Sequence, residues 1–118
     1  MNIDMWLDEF KKSWSSKNVG KVMSLFDENV DYWESPTEKF ESFKDIESEW
    51  RNIEKQEDIR IETKLESTIN EVNFVNWKLQ YRNNEMLQNW AGIYRIKLNE
   101  QGKCNYFYQD SKKVLISE

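Results

Sequence analysis

The sequence predicts an α+β domain in which N-terminal helices pack on one face of a curved, mainly antiparallel sheet. Three observations predict it. Apolar residues recur at helical spacing in the segments up to Ile53, apart from one short strand pattern. From Asp58 the period changes to two and holds to Asp110. The 118 residues contain one proline and no repeat, low-complexity tract or linker, so residues 1–118 read as one domain. The predicted order is α-α-β-α-β-β-β-β.

Met5, Trp6, Phe10 and Trp14 make an aromatic stripe on a first helix, Asp4 to Ser16. The run Ser15-Ser16-Lys17-Asn18 breaks it. Asn18 caps a second helix on which Val19, Val22, Met23 and Phe26 follow i, i+3, i+4, i+7. So short a loop makes the two helices an antiparallel hairpin. Asp27-Glu28-Asn29 ends the second helix, and Val30 to Pro36, VDYWESP, follows as a strand that its proline stops. Ser42 and Asp45 form a capping box ahead of Phe43, Ile46, Trp50 and Ile53, which mark a third helix to Glu54.

The strand pattern begins at Asp58. Ile59, Ile61, Thr63 and Leu65 share one face, and Asp58, Arg60, Glu62, Lys64 and Glu66 the other, as in a half-exposed antiparallel strand. Glu71 to Arg82 follows, with Val75, Trp77, Leu79 and Tyr81 in register. Asn83-Asn84 suits a tight turn, because asparagine tolerates positive φ. Met86 to Leu98 puts Trp90, Gly92, Tyr94, Ile96 and Leu98 on one face. Asn99 to Gly102 is a second hairpin turn and Cys104 to Asp110 the last strand. The pattern leaves the tail SKKVLISE, 111–118, unassigned.

Charged residues make up 33 % of the chain and aromatic residues 14 %, so a few large side chains carry the burial. Net charge is −5 with no basic cluster, which disfavours nucleic acid. No apolar run reaches the length of a membrane span, and the acidic N-terminus does not read as a signal peptide. A cytoplasmic location follows as the expectation. The single cysteine, Cys104, forms no internal disulfide and reads as a small core residue. The absence of histidine excludes a Ser-His-Asp triad, a Cys-His pair and a His-ligated metal. No metal or cofactor is expected. Any chemistry falls to Asp, Glu, Tyr, Lys or Arg.

These residues, in this order, resemble the nuclear transport factor 2-like (SnoaL-like) superfamily over residues 4 to 110. The pieces that carry the resemblance are WLDEFKKSW, NVGKVMSLFDENVDYWESP, FKDIESEW and the late pair WAGIYRIKLNEQGKCNYFYQD. The resemblance implies a sheet curled around a conical pocket closed by the helices, and homodimers through the outer sheet face. Its members include isomerases, dehydratases, epoxide hydrolases, cyclases and transport adaptors, so fold does not give function.

Matched to the superfamily's steroid isomerases, their helical tyrosine falls on Phe10 and their base on Ser35 or Glu34. The third acid has no counterpart. The dehydratase type needs histidine, and the Asp-Arg-Asp set of the epoxide hydrolases cannot be placed. A glutamate that many relatives carry late in the last strand is Gln109 here. Glu34 is the candidate catalytic acid, with a solvated or ion-paired strand-end carboxylate as its bland alternative. Phe10, Trp14, Tyr32, Trp50, Trp77, Trp90, Tyr94 and Gln109 are the candidate ligand-binding residues, with core packing as theirs. Tyr32, Tyr81 and Tyr94 are candidate hydroxyl donors. The main functional expectation is a small apolar or aromatic ligand in the cone. The alternatives are an isomerase, cyclase or dehydratase using Glu34 for proton transfer, and an interaction module with a filled cone.

Overall fold

The computed structural model describes residues 1–114. Helix α1 (Ile3–Ser15) and helix α2 (Val19–Ser24) lead into β1 (Phe26–Ser35) and a short β2 (Glu38–Phe40). Helix α3 (Phe43–Trp50) runs into a 3₁₀ turn (Arg51–Lys55). Four long strands follow: β3 (Glu57–Ile69), β4 (Val72–Asn83), β5 (Met86–Leu98) and β6 (Cys104–Lys113). One six-stranded sheet results, in the order β2-β1-β6-β5-β4-β3. Neighbours are antiparallel except β1 and β6, which run parallel. This is the expected α+β arrangement with one strand more.

The local signals act as their chemistry requires. The Asn2, Asn18 and Ser42 side chains accept from the backbone N–H groups of Met5, Lys21 and Asp45, capping α1, α2 and α3. Lys17, at φ 58°, ends the α1 segment. Two-residue turns join β3 to β4 at Asn70-Glu71 and β4 to β5 at Asn84-Glu85, all four residues at positive φ. Gly102, at φ 78°, closes the last hairpin.

Five expectations need correcting. The second helix ends at Ser24, not at Asp27-Asn29: Phe26 is already strand, pairs with Cys104 and is 1 % exposed. Position i+7 of a helix and the first inward position of a strand both demand a large apolar residue, so Phe26 satisfies either. The third helix stops its α-turns at Trp50 and tightens into the 3₁₀ turn, which buries Ile53. Strand β2, missing from the predicted order, pairs Phe40 with Tyr32 and Lys39 with Trp33. Met5 is also not part of the buried stripe; it is exposed and Leu7 is buried instead. Strand β6 continues past Asp110 to Lys113, and the rest of the tail, 115–118, lies outside the described residues.

The helices cover one sheet face. The narrow end of the space between them is packed with aromatic rings. Trp6 stacks on Phe10 at 5.0 Å, Phe107 stacks on Tyr32 at 4.9 Å, and Phe10 meets Tyr94 edge-on at 5.9 Å. Trp6 Nε1 donates to the Leu25 carbonyl at 3.0 Å, so even this deep indole is satisfied. Cys104 is buried here, and burial pushes its thiol pKa up.

Candidate functional site

The wide end of the cone is not filled. A recess of about 310 Å³ opens between the α3–3₁₀ segment and the inner sheet face. Alternation along β1 sends Val30, Tyr32 and Glu34 inward, with Val30 and Tyr32 buried. Glu34, two residues beyond Tyr32, lies where the packing ends and the recess begins. Pro36 follows the strand at that edge.

Aromatic side chains from every layer line the recess: Trp14 of α1, Tyr32 of β1, Trp50 of α3, Trp77 and Tyr81 of β4, and Trp90 of β5. The polar lining is Glu34, Glu49, Asn52, Gln56, Gln109 and Ser111, and Ile53 and Leu79 complete it. Two of the indoles are fastened inside the protein. Trp14 Nε1 donates to Gln56 Oε1 at 2.9 Å, and Trp50 Nε1 donates to the Tyr32 hydroxyl at 3.1 Å. What these residues offer the recess is therefore aromatic carbon. Trp77 differs: it is 4 % exposed and lines the recess, and its Nε1 has no hydrogen-bond partner among the described residues. That nitrogen is itself closed off from solvent, and a buried unpaired donor is costly. The Tyr94 hydroxyl is likewise buried and unpaired.

Burial pushes the Glu34 carboxyl up from its ordinary 4.5 to about 7, and the like charges of Glu49 and Glu38 add to the shift. No described lysine or arginine comes within ion-pair distance of Glu34, Glu38 or Glu49; Lys39 pairs with Asp31, and Arg51 with Glu47 and Glu54. The Tyr32 and Tyr94 hydroxyls are pushed well above the ordinary phenol value, first by burial. The Glu34 charge adds to this for each. Gln109 Nε2 meets the Glu34 carbonyl at 3.5 Å, linking the ends of β6 and β1 across the parallel pair.

Of the residues expected to bind a ligand, the structure brings Trp14, Tyr32, Trp50, Trp77, Trp90 and Gln109 to the recess, together with Glu34. It does not bring Phe10 or Tyr94 to the wall. Phe10 sits in the plug, ringed by Trp6, Trp14, Trp50, Tyr94 and Phe107. Tyr94 is fully buried against Trp77 at 5.1 Å. Glu49, Asn52, Gln56 and Ser111 join the lining without any sequence signal singling them out. No lysine, arginine or aspartate lines the recess, so the Asp-Arg-Asp set is not formed there. Among the described residues there is also no cluster of His, Cys, Asp and Glu that would hold a metal ion, and no helix long and apolar enough to cross a membrane.

The architecture can now be compared with solved structures. An NTF2-like protein of unknown function from Exiguobacterium sp. 255-15 superimposes with a TM-score of 0.76 at 15 % identity, covering 91 % of this chain and 98 % of that one. The chain has the nuclear transport factor 2-like fold. SalBIII, an epoxide hydrolase/cyclase-like enzyme in pyran ring formation in the polyether salinomycin, gives 0.77 at 14 % identity over 92 % of this chain and 89 % of its own. An LEH-like epoxide hydrolase of M. tuberculosis gives 0.70 at 6 % identity over 92 % and 80 %. At such identities the likeness extends to fold alone. No family model matches the chain and no curated protein matches its sequence.

Proposed function

We propose that this protein binds a small, largely aromatic molecule in the mouth of the cone. The observation that carries the reading is an open recess walled by six aromatic side chains. Its volume lies at the lower end of the range typical of ligand pockets, and a few convergent polar groups among apolar walls are what such pockets use for orientation. An interaction module with a filled cone fits less well, because the filling stops at Tyr32 and Phe10.

A second reading has a specific observation behind it. A carboxyl group that titrates near neutrality is suited to accept and return a proton, and Glu34 has that character. Proton transfer on the bound molecule, with Glu34 as base, is the enzymatic form of the same proposal. A thermal-shift screen of small aromatic compounds tests the binding claim. Ligands are expected to raise the midpoint of the wild type and not of Trp90→Ala, since binding to the native state alone stabilises it. An equal response in the two proteins contradicts a site at the mouth. For the enzymatic form, Glu34→Gln is expected to abolish turnover with the fold intact.

We also propose that two copies pair through the outer sheet face. Ile93 is 44 % exposed there, beside a cross-strand row of Trp33, Tyr108, Arg95 and Phe74, in which the Arg95 guanidinium lies 4.3 Å from the Tyr108 ring centre. Sedimentation at micromolar concentration is expected to show a dimer that Ile93→Lys converts to monomer; a monomeric wild type contradicts it.

A further inference from the structure

The recess carries a second message in its charge. Glu34 and Glu49 both line it, and Glu38 lies near enough to act on Glu34. The other groups acting on the same surroundings are the hydroxyls of Tyr32, on the same strand, and Tyr94, on β5; neither is cationic. The lining contains no lysine or arginine. The basic residues nearest in sequence to these acids, Lys39 and Arg51, are engaged with Asp31, Glu47 and Glu54. A half-buried carboxylate without a counter-charge is unfavourable; alone it is relieved by taking up a proton near neutrality, and a bound cation would hold it ionised.

We infer that the molecule held in the mouth of the cone is an organic cation, an ammonium group on an aromatic or compact apolar body. This rests on the proposed binding reading and narrows it. Two features select such a ligand. The carboxylates of Glu34 and Glu49 supply the opposite charge. Trp14, Trp50, Trp77 and Trp90 surround the same space with indole rings, whose faces attract cations more strongly than those of any other side chain. An anion is rejected by the two carboxylates. A neutral isostere keeps the aromatic contacts and loses the charge interaction.

Three probes of nearly one shape separate these terms: meta-hydroxyphenyltrimethylammonium, its neutral carbon analogue meta-tert-butylphenol, and the anion meta-hydroxybenzoate. Affinities are read near neutral pH from the quenching of tryptophan fluorescence and from the thermal midpoint. The cation is expected to bind about tenfold or more tightly than the neutral analogue, and the anion not measurably. Glu34→Gln should remove most of that preference, the ratio of the two affinities falling toward one. Glu62→Gln removes the same net charge from the outer sheet face and should leave all three affinities unchanged. Equal binding of cation and neutral analogue, or a cation preference that survives Glu34→Gln, overturns the inference while the pocket stands. Failure of all three probes to bind overturns the pocket reading and the inference together. A midpoint of Glu34→Gln without ligand no lower than that of the wild type shows that its loss of preference is not loss of fold.

Discussion

The two ends of the cone are built from the same kind of residue and differ in what closes them. At the narrow end, Trp6, Phe10, Phe26, Tyr94 and Phe107 pack ring against ring, each at most 1 % exposed, and the indole of Trp6 is satisfied by a backbone carbonyl. At the wide end, Trp14, Trp50, Trp77 and Trp90 stand around a void, one indole N–H is unpaired, and a carboxyl group sits where its charge is disfavoured. Aromatic content alone therefore does not distinguish core from site. The open volume and the disfavoured carboxyl at the wide end do.

The largest effect that separates the ends is expected in the plug. Phe10→Ala removes a ring touching five other aromatic residues, and a loss of about 3–5 kcal/mol in denaturant unfolding is expected. A loss below about 1 kcal/mol would mean that the narrow end is not the tight core described. Next is Gly92, where β5 and β6 approach so closely that an added methyl group would overlap the Asp110 carbonyl. Gly92→Ala should cost about 1–3 kcal/mol in the same assay, because backbone rather than a flexible side chain must move.

At the mouth the effect takes the form of a pH dependence. The folded carboxyl of Glu34 titrates near 7 and the unfolded one near 4.5, so between these values the folded state holds more protons. Stability contributed by this group is present below about pH 4.5 and is lost as pH rises through about 7. The loss should be roughly 1–3 kcal/mol, and Glu34→Gln should flatten that part of the profile. The smallest change is expected for Trp90→Ala. This residue is only half-buried, so the fold should lose about 1–2 kcal/mol while the ligand response disappears. Phe10→Ala and Trp90→Ala thus contrast stability with binding, and a large stability loss in both would erase the distinction between the ends.

Much of this was legible in the sequence where one periodicity ruled. Strands β3 to β6 follow period two from Ile59 to Phe107, and the caps at Asn18 and Ser42 mark their helices. It failed where a residue satisfies two patterns, as Phe26 does, or where an element is too short to have one, as in the three residues of β2. At the site, the inward direction of Glu34 follows from its spacing to Val30 and Tyr32. The partners across the recess do not. Glu49, Asn52 and Gln56 come from a helix end that turns 3₁₀, and Ser111 from a strand that outruns its pattern, so only the folded chain brings them opposite Glu34. Tyr94 and Trp90 share one face of β5, yet Tyr94 belongs to the plug and Trp90 to the wall. Alternation gives the face of a sheet and says nothing of depth along it.

The contrast between plug and mouth has a direct measurement. Six tryptophans give six indole N–H signals in a proton–nitrogen correlation spectrum, assignable by single substitutions: Trp6 in the plug, Trp33 on the outer face, and Trp14, Trp50, Trp77 and Trp90 around the recess. During titration with meta-hydroxyphenyltrimethylammonium, the signals of Trp14, Trp50, Trp77 and Trp90 are expected to move, with Trp6 and Trp33 still. A shift led by Trp33, or a spectrum in which none of the four recess signals moves, would contradict a ligand site at the mouth of the cone.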